Sequence, residues 1–371
     1  MKRSFKARSS RLPLALLLGA MSGAAGAVAR ADEPAAGQTN SAAVADGSGG
    51  ESTLTAEAAL DRFLSKSKEI TPEFLSSADE LFNKAAKDQP KDYRWTLGRA
   101  FVLMSRNEPV KARDTAREAA KLAPESAVAQ CWLGNAVFQS IDQAGFFEKM
   151  SLANEGFAAY EKAVKLDPNY IDPRVGLFQF YYNAPGIAGG SIRKAREQAK
   201  AMCSLPGRGP FTGQCCLAQC AAYDEKWDEL ASACAAAVKA AETPEDLATA
   251  HYVHANGLLN KKEDPQAAIE VLGPLTTGEP KPEEVMLFYL LGDAKRKLKD
   301  WAGAKEALVK VINVKADAKN SRFVLAECCE KLGDIDGAIT HYSEFAKRFP
   351  DDDRAKQANS AVKRLQKQKA K

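Results

Sequence analysis

Three histidines, eight cysteines and one glycine-rich turn are the places where this sequence could do chemistry. His251 and His254 stand three apart in a stretch of helical spacing, a separation that two ligands of one metal ion can have. Both fall on positions that pack between helices, and His341 stands alone, so packed or partly exposed imidazoles are expected rather than a metal site. Gly189-Gly190-Ser191 could attract an anion, because backbone amides ahead of a helix do so. The lysine of a phosphate loop is missing there and no strand precedes it, so a turn ending in a serine N-cap is expected. Cys131, Cys203, Cys215, Cys216, Cys220, Cys234, Cys328 and Cys329 form an even set, which in an exported chain invites disulfides. All eight lie in helical stretches, and Cys220, Cys234 and Cys329 take inward positions where small residues pack, which favours buried thiols. The pairs Cys220–Cys234 and Cys203 with Cys215 or Cys216 are the best candidates for bridges, and the sequence leaves their bonding open. Cysteine pairs at zinc spacing, a G-x-S-x-G elbow and an H-E-x-x-H helix are all missing. The chain therefore reads as a non-enzyme, with no catalytic residue, no metal site and no cofactor expected.

The elements that carry these residues repeat. Leu291-Gly292 is followed 34 residues later by Leu325-Ala326, Ala304 by Ala338, Leu308 by Tyr342 and Val311 by Phe345. Pro90 and Pro124 share that interval, each ending a helical stretch that proline cannot continue. Gly or Ala after the leucine lets two antiparallel helices approach, and the larger residue four positions after the second helix's alanine fills the gap to the next pair. Similar pairs surround Leu97-Gly98, Leu133-Gly134 and Leu177, with a diverged first pair ending in Ala78, Phe82, Ala85 and Pro90.

These residues make residues 54–350 resemble a tetratricopeptide-repeat protein. The resemblance implies an all-α, right-handed superhelical solenoid of antiparallel helix pairs, about eight units, closed by a capping helix and tail over 351–371. Two units depart from the pattern. About ten extra residues, near IDQAGFFEKMSLA, fall between the helices of the Leu133 unit, and NAPGIAGGS stands at the same place in the Leu177 unit. Insertions at equivalent points of a solenoid emerge on one face and often serve binding.

Lys2, Arg3, Lys6, Arg8 and Arg11 precede an apolar run from Leu12 to Ala29, and Ala29-x-Ala31 ends it. That order reads as a signal peptide over 1–31, which places the mature chain in the periplasm or outside the cell. Residues 32–53 are small and polar, and are expected to form a disordered linker. Without the leader, 46 basic residues face 48 acidic ones, a net charge of −2. So even a balance offers no basic footprint for nucleic acid, and no later apolar run is long enough to span a membrane.

In such a solenoid the first helix of each unit lines the concave surface. The repeat register places Trp95, Arg99, Asn135, Phe138, Gln179, Tyr182, Gln219, Tyr223, Tyr252, Asn256, Tyr289, Asp293, Phe323 and Glu327 there. Aromatic faces mixed with amides suit an extended peptide or a helix, so a protein or peptide partner is expected. The lysine–asparagine arrangement that grips a C-terminal carboxylate in some repeats of this family is missing. A cell-envelope assembly factor docking through the inserts is the alternative, and an enzyme with its site in the inserts a second one.

Overall fold

The structure, a computed structural model, describes residues 54–65 and 70–370, so the leader and the linker lie outside the described residues. Seventeen helices and no strands stand among the described residues. The chain forms two compact units, one ending at Gly209 and the other beginning at Pro210.

The first unit holds four helix pairs: α1 (Ala56–Leu64) with α2 (Pro72–Asp88), α3 (Tyr93–Ser105) with α4 (Pro109–Leu122), α5 (Ala127–Ser140) with α6 (Phe146–Leu166), and α7 (Ile171–Asn183) with α8 (Ile192–Cys203). The starts are set locally. Thr71 accepts from the Phe74 amide with Pro72 in the first turn, and Ser126 accepts from the Ala129 amide. Phe63, Phe74, Phe82, Trp95 and Phe101 join the first three helices in one core. Tyr160 on α6 joins α5 to α7. A Cβ on Gly134 of α5 would lie 2.6 Å from its ring and one on Gly176 of α7 2.4 Å, so two bare glycines hold the ring between them.

The second unit holds α9 (Gly209–Tyr223), α10 (Trp227–Lys239), α11 (Pro244–Asn260), α12 (Pro265–Leu272), α13 (Val285–Lys297), α14 (Trp301–Val314), α15 (Lys319–Lys331), α16 (Ile335–Arg348) and α17 (Ala355–Lys369). Its last pairs repeat in detail. Asp300 and Asp334, 34 residues apart, cap α14 and α16 through the Gly303 and Gly337 amides, each at 2.9 Å. The final helix buries Ala355, Ala358, Ala361 and Leu365, with the last three in the core of Phe323, Tyr342 and Phe345.

One segment differs from the sequence expectation. The extra residues after α5 form one 3-10 turn, Ile141–Gln143, and then lengthen α6 to 21 residues, so most of this insert is helix rather than loop. Its composition explains this, since Glu148, Lys149, Met150, Leu152 and Ala153 are good helix formers. By contrast α12 is only eight residues long. Pro274 follows in a 3-10 turn, then Gly278 at φ 77°, and Pro280 and Pro282 prevent the helix from resuming.

Candidate functional site

First helices stand side by side in both units: α3 meets α5, α5 meets α7, α11 meets α13, and α13 meets α15. The face they form in the second unit gathers more of the expected residues with polar character than any other place. Tyr252 of α11 and Tyr289 of α13 are half-buried and close enough to influence each other electrostatically. Burial pushes both phenols up to about 12, with Asp293 adding to the shift at Tyr289, so both are protonated donors at neutral pH. Asn256 is half-buried and its Oδ1 accepts from Asn260 Nδ2 at 2.9 Å. Lys297 of α13 reaches back to the Leu259 carbonyl at 3.2 Å and Asn260 Oδ1 at 3.1 Å, fixing the two helices.

Arg296 donates to Asp293 Oδ1 through Nη2 at 2.7 Å and Nε at 2.9 Å. Beyond it Glu327 of α15 is half-buried. Burial raises its pKa, Arg296 opposes that, and Asp293 adds to it. Arg364 of α17 bonds Glu330 at 2.8 Å across a 34-residue spacing. Between these helices lies an open groove of about 570 Å³, lined by Arg296, Trp301, Glu327, Glu330, Lys331, Tyr342, Gln357, Ser360 and Arg364. Such a groove offers donors and acceptors of both signs beside aromatic surface, which is what a peptide backbone with mixed side chains needs.

Much of the face that the repeat register projects is less open than expected. Trp95 is 1 % exposed and its Nε1 donates to Gln89 at 3.3 Å, so it is core. Phe323 is buried with its ring edge-on to Phe345 at 5.0 Å, and Asp293 is buried against Arg296. Gln179 is buried too, its Oε1 accepting from Asn183. Phe138 lies 5.6 Å from Tyr160 in a stacked arrangement, and a Cβ on Gly156 would reach its ring at 2.7 Å. Asn135 accepts the Tyr160 hydroxyl at 2.7 Å, and Tyr182 stacks on Phe178 at 5.6 Å. These side chains serve helix packing. Arg99 and Gln219 are half-buried, and Tyr223 is 53 % exposed. Arg296, Glu330, Gln357 and Arg364 lie off the single stripe that the register projects or within the expected cap over 351–371, so the sequence alone does not single them out. The 34-residue spacing of opposite charges at 330 and 364 was the available signal.

Burial shifts several of the cysteines and histidines. Burial pushes the thiols of Cys234 and Cys328 up to about 12 and that of Cys329 to about 11. Burial lowers the pKa of His251 and His254, and the neighbouring His251 lowers that of His254 further. Among the described residues no three His, Cys, Asp or Glu side chains come together as a metal site.

Residues 73–127 and 289–353 match the tetratricopeptide repeat family model. Those two stretches are similar to tetratricopeptide repeats. Among solved structures, yeast Tom70 is similar with a TM-score of 0.64 and 18 % identity, over 86 % of this chain and 66 % of that one. The chain thus spans just under two thirds of Tom70. A tetratricopeptide repeat protein from Parabacteroides merdae gives 0.49 and 13 % identity, over 73 % of this chain and 98 % of that one. YrrB, a tetratricopeptide repeat protein with an unusual peptide-binding site, gives 0.35 and 18 % identity, over 66 % and 97 %. At 18 % identity the likeness to Tom70 is one of fold. Comparison with curated proteins returns no match.

Proposed function

We propose that this chain is an exported, non-catalytic scaffold that holds a protein or peptide on the face built by its first helices. The observation that carries this reading is the second-unit groove. Arg296 and the half-buried Glu327 of two successive first helices line open space there with Glu330, Gln357 and Arg364, and the half-buried, protonated Tyr252 and Tyr289 lie on the same run of first helices. A folded array of helix pairs is a common frame for such holding, and aromatic anchors beside amides and charges suit a peptide. A protein or peptide also fits the near-neutral charge of the chain without its leader better than a nucleic acid does. Among specific forms, a cell-envelope assembly factor agrees with the leader and the two inserts.

Affinity capture from the native extract tests the surface. Replacing Tyr252→Ala with Tyr289→Ala is expected to weaken capture by more than about tenfold, since central aromatic anchors commonly carry about 2 kcal/mol or more. Because both tyrosines are half-buried and stand outside the groove's lining, Gln357→Ala with Arg364→Ala, which line the groove itself, serves as the companion variant. Full capture by both, with native circular dichroism, would sink the reading. Export has its own test. Mass spectrometry of the exported protein should find Asp32 as the first residue, and an attached leader would speak for a membrane anchor instead.

A further inference from the structure

The segment joining α7 to α8, residues 184–191, is built to hold one shape. The Ala188 and Gly190 amides both donate to the Pro185 carbonyl, at 2.8 and 3.1 Å, and the Gly189 amide donates to Gly186 at 3.1 Å. The Ser191 amide donates to the Tyr181 carbonyl at 2.7 Å, and its hydroxyl caps α8. Gly189 has φ 94°, a left-handed conformation that side chains resist. At Gly190 a Cβ would come within 1.7 Å of the Ala184 carbonyl oxygen, so only glycine fits. The foot of the loop lies over Phe180, whose ring is 5.9 Å from Phe138 and 5.1 Å from Phe157. All this supports one side chain that touches almost nothing. Ile187 is 97 % exposed.

The stretch beyond the tip is basic. Arg193 and Lys194 are exposed in the first turn of α8 and Lys200 is exposed further along, with Arg196 half-buried between them. From 184 to 203 four basic residues face one acid, Glu197, a local net charge of +3 in a chain whose total without its leader is −2. We propose that this edge of the first unit adsorbs to an anionic phospholipid bilayer, Ile187 entering the acyl boundary while Arg193 and Lys194 meet the headgroups. A protein pocket suits the loop less well. A stable interface needs about 800 Å² from each partner, whereas Pro185, Gly186 and Ala188 add little apolar area around one isoleucine. A bilayer needs no matching shape and rewards an apolar tip ringed by cations. The loop shares no residue with the second-unit groove, so the two readings stand or fall independently.

The test places a reporter at the tip. The full chain has four tryptophans, and Ile187→Trp adds one at an exposed position. Vesicles of phosphatidylglycerol and phosphatidylcholine in equal parts, with brominated acyl chains, should quench this variant beyond the parent chain. Comparison with the parent cancels any contribution of the leader. Removing two cations by adding Arg193→Gln and Lys194→Gln should lower the partition coefficient by roughly thirtyfold, and added salt should act in the same direction. Absence of extra quenching overturns the proposal. So does equal quenching on pure phosphatidylcholine, which would remove the role of the charges. Capture of a protein partner that Ile187→Asp abolishes, without extra quenching, would assign the loop to a protein instead.

Discussion

Asp352 shows how much one carboxylate can fasten. Its side chain is only 11 % exposed, accepting from the Arg354 amide at 3.0 Å and Nε at 2.9 Å, while Lys319 Nζ lies 3.0 Å away. Arg354 in turn lies over Phe323 and Phe345, at 5.1 and 5.2 Å from their centroids, and bonds Asn320. The start of α17 is thereby tied to α15 and α16. The Arg354 hydrogen bond, joined by its amide and Lys319 and opposed by burial, holds the Asp352 carboxyl well below the usual carboxylate range. A folded pKa below the unfolded value of about 3.9 means that the linkage stabilises fully above that value and is lost as pH falls through the folded one. Asp352→Asn should therefore lower stability at neutral pH by about 1.5–3 kcal/mol, the range for charged hydrogen bonds. The gap to the parent should narrow as acid is added below about pH 4. Urea unfolding of both proteins across that range checks it, and a gap independent of pH would show that the carboxylate charge is not what matters.

At the scale of helices, most of the architecture was legible because the same small-against-large fit recurs. Gly98 faces Phe82, Gly134 and Gly176 face Tyr160, Gly257 faces Leu230 and Gly292 faces Leu308, each with no room for a methyl group as the neighbours stand. A sequence records such complementarity as Leu-Gly and Ala-x3-large spacing, so the eight helix pairs and final helix could be read from it. Spacing says less about how a pair is joined. Extra residues after Ser140 looked like a loop because they broke the 34-residue count, yet their own helix propensity lengthens α6. Depth was harder still. Periodicity gives the direction in which a side chain leaves its helix, and the next helix decides how much of it stays wet. Trp95 and Phe323 are covered by their neighbours, whereas Tyr223 is exposed. The groove's charges belong partly to α17, whose polar sequence resembles any solvated cap until its position beside α15 is known.

The whole chain is a set of local pairings, and this governs how damage spreads. Each helix of a repeat array draws its packing from its near neighbours, so stability is close to a sum of neighbour terms. The division into two compact units at Gly209 and Pro210 sharpens the expectation that a fault stays where it arises. Gly292 is the position to test. A Cβ there would sit 2.8 Å from Leu308 Cγ and 3.0 Å from its Cδ2, with the Ala304 carbonyl oxygen at 3.5 Å. Gly292→Leu adds three more carbons in the same direction, and overpacking of this kind costs about 1–3 kcal/mol. The substitution must push α13 from α14, and through Leu308, which shares a core with Phe323 and Leu325, loosen α15 and α16. Hydrogen–deuterium exchange read by mass spectrometry should therefore speed up in α13 to α16, while α3 to α8 keep the protection of the parent. An equal rise in all helices would mean that the chain opens as one cooperative body, and neighbour terms would then be the wrong description. No change even in α13 would mean that Leu308 can swing clear, which would deny the Gly292 contact its part in setting the distance between the helices.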